Sequence, residues 1–405
     1  MSTRDSVVLV DPVLNGAPFK AACADRGLDV LGVYTIDRAV VTAMDPTHAA
    51  GDARSVYGRD PAVGGRPAAV VPATEPGVLT AARLAGRHGL PGQPPALAPA
   101  LRDKRLMRRH ARARGVRVPR FTTAADGLGD ALRHTGLPAI VKPTGGAGAH
   151  NVFLVREPAD LERVARADRH DLFGGAIDEW LVEEYVRGRE FAVNTFTVDG
   201  GHTVLDVWEY RQPGPGDYDN PYWDFVQIGA DVPGHATVAR FAQQVLDAFE
   251  IALGPAHIEI KLPADGDPVL IELGARLPGA GIPSQWERHS ALRPYADTLA
   301  VHLGEPPSTL EPGFDARLGM CFIRHDGPAG ILHAVHGLDA VRTWTGVEGV
   351  TAAPPGGPVG TTTALGAEIA KVRLAAPDDT RLAALIARVR AAVHVEVVER
   401  AASAA

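Results

Sequence analysis

The residues best suited to chemistry lie in one stretch, His257-Ile-Glu-Ile-Lys-Leu-Pro-Ala-Asp-Gly-Asp-Pro-Val-Leu-Ile-Glu-Leu-Gly-Ala-Arg-Leu-Pro-Gly279. It reads as a β-hairpin, because Asp265-Gly266 is a strong two-residue turn signal: Gly accepts positive φ freely and Asp tolerates it better than most residues. A turn closed there sets Glu259 directly opposite Glu272. The alternation predicts Ile258, Ile260, Leu262, Val269, Ile271 and Leu273 on a core face, with His257, Glu259, Lys261 and Glu272 sharing the other face with Leu270 and Gly274. Facing like charges destabilise a sheet, their Cβ atoms being roughly 4.5–5.5 Å apart. A hard divalent cation taking oxygen ligands offsets such repulsion. A solvated strand face, softened by Lys261, is the plainer alternative, and the hairpin alone leaves both open.

Two further segments carry suggestive residue types. In Pro138-Ala-Ile-Val-Lys-Pro-Thr-Gly-Gly-Ala-Gly-Ala-His-Asn-Val-Phe-Leu-Val155, two short strands flank a loop containing Gly145, Gly146 and Gly148. Such a loop can wrap its backbone N–H groups around a phosphate. Lys142, on an otherwise apolar strand, is a point charge suited to the same group. No Gly-Lys-Ser/Thr follows the glycines, so this is not a Walker A loop, and a flexible structural turn fits it equally. In Leu181-Val-Glu-Glu-Tyr-Val-Arg-Gly-Arg-Glu-Phe191, a strand ends near Val186, Gly188 turns the chain and Glu190 opens the next strand. A strand edge at such a hinge offers a purine ring one donor and one acceptor, and a carboxylate there can accept from ribose hydroxyls; ordinary sheet is the alternative.

The elements that position these residues follow from the whole chain. Its 405 residues are too many for one ordinary core, and 45% hydrophobic with 22% charged residues is the composition of a soluble globular protein. A net charge of −7 argues against a general nucleic-acid or anionic-membrane binder, although Arg102, Lys104, Arg105, Arg108, Arg109, Arg112 and Arg114 make a local basic patch. Two cysteines, Cys23 and Cys321, are too few for a disulfide framework and fit a reducing cytoplasm as buried structural thiols. Apolar runs are too short for a signal segment or a membrane span, so a cytoplasmic location is expected.

Residues 6–100 alternate strand and helix, with strands at Val7–Val10, Leu28–Tyr34 and Ala68–Pro72 and helices at Pro18–Gly27 and Val78–Gly89, the rhythm of a small parallel α/β unit. A Pro-rich connector ends it at Leu90–Pro99. A basic helix, Asp103–Arg114, leads to a strand-like Val116–Phe121 and a helix over Asp126–Gly136. Strands then dominate, at Ala139–Lys142, Val152–Val155, Leu181–Val186, Glu190–Val198 and Thr203–Tyr210. After a Gly-, Pro- and aromatic-rich loop (Gln212–Trp223), helix returns over Ala236–Phe249 and again from Ser290 to Leu303. The last hundred residues read as strands Leu318–Arg324, Val341–Trp344 and Ala367–Leu374 with a helix Asp378–Val393.

The order of Lys104 on a basic helix, Lys142 before a Gly loop, Glu-Glu-Tyr-Val-x-Gly-x-Glu, and two hairpin carboxylates followed by Arg276 resembles the ATP-grasp superfamily, over roughly Leu101 to Ser290. The resemblance implies an α/β and α+β chain of four parts: an N-terminal α/β domain (1–100), an ATP-grasp small subdomain with the Gly loop (101–188), a large subdomain with the metal site (189–300), and a C-terminal α+β segment packing on it (301–405). It implies ATP and one or two Mg²⁺ ions, with Mn²⁺ as a substitute. Lys104, Lys142 and the Gly145, Gly146 and Gly148 loop match the phosphate-binding groups. Glu183 matches the acidic residue near the adenine amino group, the backbone of Glu184 and Val186 the adenine edge, and Glu190 the ribose ligand. Glu259 and Glu272 match the Mg²⁺ carboxylates. Arg276 matches an arginine on the acyl phosphate or its oxyanion, and His257 stands where some members place an arginine near that intermediate.

Two departures stand out. Gly274 occupies the position where the family usually has a third metal residue, Asn, and the Gly loop lacks the serines of many relatives. The phrases Gly254-Pro-Ala-His-Ile-Glu and Ile271-Glu-Leu-Gly-Ala-Arg-Leu-Pro-Gly look most like the L-amino-acid ligases, a carboxylate–amine ligase branch. That branch implies small-molecule substrates, two amino acids joined through an acyl phosphate into a dipeptide or γ-glutamyl amide, with a homodimer as a further expectation. Two alternatives stay open: a carboxylase or purine-pathway relative using carboxyphosphate or formyl phosphate, and an ATP-binding regulatory module without turnover. The loop from Tyr210 to Trp223, with Arg211, Asp217, Tyr218, Asp219 and Tyr222, either contacts the substrates or is a surface excursion.

Overall fold

Val7, Val8, Leu9 and Val10 are fully buried because they form an inner strand of a parallel sheet, covered on both faces. The computed structural model describes residues 6–45, 54–125, 127–211, 224–362 and 366–399. Strands β1 (Ser6–Val10), β2 (Asp29–Tyr34), β3 (Ser55–Tyr57) and β4 (Ala69–Pro72) lie in the order β3-β2-β1-β4, with helices at Gly16–Asp25 and Gly77–His88. Between β4 and the second of these helices the chain passes Thr74, whose hydroxyl donates to the Asp11 carbonyl at 2.8 Å, and the buried Glu75.

The basic helix runs Lys104–Ala113 and is capped by Asp103, whose side chain accepts from the Leu106 N–H at 2.9 Å. It precedes a four-stranded antiparallel sheet of β5 (Phe121–Thr123), β6 (Ala139–Pro143), β7 (Phe153–Val155) and β8 (Trp180–Glu184), in the order β5-β8-β6-β7. The expected strand Val116–Phe121 is corrected here: pairing begins only at Phe121, after Pro119, which has no N–H to give a ladder.

The largest sheet has eight strands. It contains β9 (Arg189–Val198), β10 (Gly201–Arg211), β11 (Asp224–Ile228), β12 (Gly254–Leu262) and β13 (Val269–Gly274), and takes three more strands from the last hundred residues. Those residues supply β14 (Arg317–Ile323), β15 (Gly330–His336), β16 (Val347–Ala352), β17 (Pro358–Val359), β18 (Ala370–Ala376) and β19 (His394–Glu399). The order is β13-β12-β9-β10-β11-β14-β18-β16, while β17-β15-β19 form a small separate sheet. The expected strand Val341–Trp344 is instead the end of a short helix, Leu338–Arg342, whose Leu338 and Val341 enter the core three residues apart, a helical spacing. On one face of the large sheet, Phe191, Val193, Ile258, Ile260 and Leu273 pack beneath helix His235–Ala248. On the other, Ala192, Phe196, Trp208 and Phe225 share a core with β1, β4 and helices Ile282–His289 and Pro294–His302. No helix among the described residues is long and apolar enough to cross a membrane.

The hairpin of β12 and β13 departs from the expected alternation at one point. His257 faces Gly274, Ile258 faces Leu273 and Glu259 faces Glu272, but the register slips by one between Glu259 and Ile260, so Ile260 faces Leu270 and Lys261 faces Val269. The slip is a bulge at Ile271. Leu270, expected beside the carboxylates, therefore belongs to the core, and Ile271, expected in the core, is half-buried and lines a pocket. Leu262, also expected in the core, is only half-buried at the strand end.

Gly188 joins β8 to β9 at φ +155, where an added Cβ would stand 2.5 Å from the Leu262 carbonyl oxygen. Both the backbone conformation and the close approach exclude a side chain. Gly188→Ala should therefore destabilise the protein by about 1–3 kcal/mol, read as a lower thermal midpoint; an unchanged midpoint would show that the hinge has room to relax.

Candidate active site

Strand register assembles one floor of polar groups. Across β13, β12, β9 and β10 the cross-strand rows read Glu272–Glu259–Ala192–Trp208 and Gly274–His257–Asn194–Asp206; one row further on stand Lys261, Glu190 and Tyr210. The antiparallel small sheet and the loop between β6 and β7 form the opposite wall. The cleft between them is lined by Lys104, Lys142, Gly146, Glu183, Glu184, Val186, Glu190, Glu259 and Glu272 from the expected set, with Ile140, Val152, Tyr185 and Ile271 as apolar and aromatic surface. Gly145 faces a second cleft toward the N-terminal sheet, and Gly148 turns the loop at φ +66 without lining either. Of the three loop glycines, only Gly146 is brought into the cleft.

Two charges of the basic helix, Lys104 and Arg108, point inward, while Arg109, Arg112 and Arg114 stay on the surface. Lys104, 5% exposed, donates to the Gly146 carbonyl at 2.7 Å and stands 3.0 Å from Glu272 Oε1. Arg105 pairs with Glu179 at 3.0 Å and Arg114 with Glu250 at 2.7 Å. Arg108 is fully buried; its Nε donates to Glu183 Oε1 at 2.5 Å and its second terminal nitrogen to the Ile271 carbonyl at 2.6 Å. Lys142 reaches the other oxygen of Glu183 at 2.6 Å. Burial pushes the Glu183 carboxyl up, but Arg108 and Lys142 outweigh it and hold its pKa at about 2. Burial lowers the Lys142 ammonium, opposed by Glu183. Burial likewise raises Glu272, and Lys104 and Lys142 more than reverse this, keeping it below the ordinary carboxylate range.

Toward the other end of the cleft, Glu184 uses its N–H on the Arg120 carbonyl at 2.9 Å and its carboxylate on the Arg120 side chain. Glu190 is nearly buried; its Oε2 has no hydrogen-bond partner, although Lys261 forms an ion pair with it at 3.4 Å, and burial raises its pKa. Lys261 therefore answers Glu190 rather than softening Glu259. A buried carboxylate oxygen lacking a donor suits a hydroxyl-bearing ligand, which is the chemistry of a ribose.

His257 and Arg276 stand beyond the carboxylate pair. His257 Nδ1 lies 2.7 Å from Asn194 Oδ1, and its Nε2 lies 3.4 Å from the Tyr210 hydroxyl and 3.6 Å from Glu259. Tyr210 also donates to Glu259 at 3.3 Å. Arg276 donates through Nε to Glu75 at 2.8 Å. A Cβ at Gly274 would stand 2.8 Å from Glu75 Oε2, so the space a side chain would need at this position is already filled by a carboxylate from the turn that follows β4. Sequence reasoning missed Glu75 and Arg108; the signal for Glu75 was an acidic residue just past the carboxyl end of a parallel strand, where α/β sheets place ligand-binding groups. The loop residues 212–223, including Asp217, Tyr218, Asp219 and Tyr222, lie outside the described residues.

The donor set also bears on a metal. Among the described residues no group of three or more His, Cys, Asp or Glu side chains is arranged to hold an ion. Two facing carboxylates fit Mg²⁺ nonetheless, because that ion is commonly held by one or two carboxylates with phosphate and water completing its shell.

The buried triad generates a prediction. Glu183 is ionised only in the presence of Arg108 and Lys142, so its contribution to stability is present above its ordinary value of 4.5 and is lost as the pH falls toward about 2. Glu183→Gln leaves two buried cations facing a neutral amide and should cost about 3–5 kcal/mol in urea unfolding at pH 7. It should also flatten the acid-side loss of stability between those pH values; equal acid sensitivity in both proteins would sink the assignment.

Comparison with known proteins agrees with this geometry. Residues 135–284 match the family model for the ATP-grasp domain. The chain is 28% identical over 194 residues to dapdiamide A synthase of Enterobacter agglomerans, covering 46% of this chain and 45% of that one. It is 24% identical over 252 residues to the L-arginine-specific L-amino acid ligase of Bacillus subtilis, covering 60% of each. The matches thus span about half the length of these curated relatives. Among solved structures, L-amino acid ligase from Bacillus licheniformis superposes with a TM-score of 0.73 at 19% identity, covering 98% of this chain and all of the other. The chain has the fold of that ATP-grasp-like structure, and the match to the ATP-grasp domain model covers its residues 135–284.

Proposed function

We propose that this chain is an ATP-dependent carboxylate–amine ligase, which activates an amino-acid carboxylate as an acyl phosphate and couples it to an amine, releasing ADP and phosphate. The observation that carries the reading is the convergence of Lys104, Lys142, Glu259 and Glu272 on one cleft beside Gly146. The alternative of a non-catalytic nucleotide binder gives no reason for two carboxylates to be held face to face. The relatives named as ligases of amino acids support the substrate class.

In this reading the nucleotide enters between the two walls, its adenine against Ile140, Val152, Tyr185 and Ile271 and the backbone of Glu184 and Val186, its ribose hydroxyls donating to Glu190. Phosphates draw Lys104 and Lys142 away from their present partners, so binding exchanges two internal ion pairs for contacts with ligand. Mg²⁺ held by Glu259 and Glu272 would neutralise charge on the transferring phosphoryl group. The carboxylate of the substrate attacks the γ-phosphorus; the new C–O–P linkage forms as the bond to ADP breaks. Arg276 is the nearest guanidinium to the carboxylate pair along the chain and is the group proposed to meet the oxyanion formed when the amine adds. Closure of the loop around Gly146 would keep water from the acyl phosphate.

The test is ADP and phosphate release with Mg-ATP against amino acids singly and in pairs, with mass detection. The expected product is lighter than its two parts by one water. Release that depends on bicarbonate or formate instead would replace this reading with the carboxylase one. Arg276→Ala should lower kcat by about 10²–10³-fold while ATP affinity changes little; an equal loss of both would move Arg276 onto the nucleotide. Glu272→Gln should abolish Mg²⁺-dependent release in a protein whose circular dichroism is unchanged.

A further inference from the structure

Gly145 borders a second cleft, of about 870 Å³, which lies over the carboxyl ends of β2 and β3. Open α/β sheets place ligand sites outside that end of their strands. Of the groups assigned above to phosphate, metal or oxyanion, only Gly145 faces it. One wall is the segment Tyr57-Gly-Arg59 that ends β3. The opposite wall is the turn 171–176, anchored by Phe173, which is buried with Val13, Tyr34, Ile36 and Val41. A Cβ at Gly58 or at Gly145 would meet no atom within 4 Å, so both glycines border open space.

Four guanidiniums line this cleft, those of Arg38, Arg59, Arg83 and Arg102. Three carboxylates line it too, but each is held by N–H groups of its own turn. Asp37 accepts from Ala39 at 2.7 Å, Asp103 from Leu106 at 2.9 Å, and Asp171 from Phe173 and Gly175, both at 2.8 Å. Asp171 alone approaches one of the four arginines, its Oδ2 standing 3.9 Å from Arg102. Among the described residues the side chains of Arg38, Arg59 and Arg83 have no hydrogen bond or ion pair; Arg38 lies over the Tyr57 ring at 4.6 Å. Arginine cannot lose its proton in a protein, so the like charges are relieved only by an anion. A carboxylate has two oxygens and fills one guanidinium fork, whereas a phosphoryl group offers three oxygens and serves more than one.

We propose that this cleft is a second anion site, separate from the nucleotide cleft, which takes a phosphorylated small molecule. Arg59 and Arg83 meet the phosphoryl oxygens from the N-terminal domain, and Arg102 meets them from the residue before the cap of the basic helix. Gly145, bare of a side chain, lets the ligand approach the loop backbone. The volume admits a ligand of sugar-phosphate size. None of this rests on the ligase reading.

The test is calorimetric titration of the full chain with Mg²⁺ and a nonhydrolysable ATP analogue at saturation, so that the first cleft is filled. Inorganic phosphate and fructose 1,6-bisphosphate are the probes, and citrate is the control. A phosphate-bearing probe should bind about tenfold more tightly than citrate. Tighter binding of the bisphosphate would identify a phosphorylated metabolite as the occupant, and equal binding free phosphate; either supports the site. Arg59 and Arg83 are both exposed, so the double variant Arg59→Gln/Arg83→Gln should fold. It should weaken the probe by about tenfold or more and leave affinity for the ATP analogue within about twofold. Arg114→Gln, on the surface of the basic helix outside the cleft, should change neither. No binding, equally tight citrate, binding that survives the double substitution, or an equal loss in Arg114→Gln would each overturn the proposal. A chain that does not bind the analogue would sink the nucleotide reading, and the same titrations without it would still decide the second site.

Discussion

Glu259 and Glu272 face each other across β12 and β13, and two carboxylates at that separation repel. Much of the surrounding structure answers this repulsion. Lys104 reaches Glu272 from a helix that is capped by Asp103 and packed into the large-sheet core through Met107 and Ala111. Tyr210 donates to Glu259 from two strands away, and its hydroxyl stays protonated because burial, Glu259 and Glu190 all raise its pKa. Each of these partners is a group that a phosphate or a metal could displace or join. The repulsion is therefore stabilised in the free protein by contacts that can be given up, rather than by removing either charge.

A second charge cluster does the opposite. Arg108, Glu183 and Lys142 are all buried; Glu183 Oε1 accepts from Arg108 at 2.5 Å, and its Oε2 takes Lys142 at 2.6 Å together with a longer contact from Arg108 at 3.4 Å. Arg108 also holds the Ile271 carbonyl at the β13 bulge, so one guanidinium ties the basic helix, the small sheet and the hairpin together. Removing one partner of such a cluster strands the others in a low dielectric, which makes it rigid where the Lys104–Glu272 contact is exchangeable. Lys142 belongs to both settings, since it lines the cleft while its charge is held by Glu183.

The local motifs were legible because short-range rules governed them. Asp265-Gly266 marked a hairpin, and Gly266 does adopt φ +78; alternation then placed Glu259 against Glu272. The Ile271 bulge was not legible, since nothing in the apolar run Val269-Leu-Ile271 distinguishes a slip from regular pairing. Val341–Trp344, which includes the end of helix Leu338–Arg342, read as strand because four residues fit either period. Strand β11 and helix Ile282–His289 went unmarked for the same reason of length. The eight-stranded sheet was not foreseeable either: the joining of β14, β18 and β16 to β11 is long-range pairing that no local pattern encodes.

Glu75 and Gly274 show why a departure from a family pattern cannot be read at one position. In sequence, Gly274 looks like a lost ligand. In the fold, the missing side chain leaves the room that Glu75 occupies, a residue 201 positions before its partner Arg276. Asn194 and Asp206 were visible in the same incomplete way: Asn194, with Thr195, interrupts the apolar run Phe-Ala-Val-Asn-Thr-Phe, and Asp206 interrupts Val-Leu-Asp-Val-Trp. A buried polar residue in such a run requires partners, but only the register of β10, β9 and β12 says that those partners are one another and His257. What the strands specify together is a direction for a hydrogen bond, and direction is a property of the assembled sheet rather than of any segment.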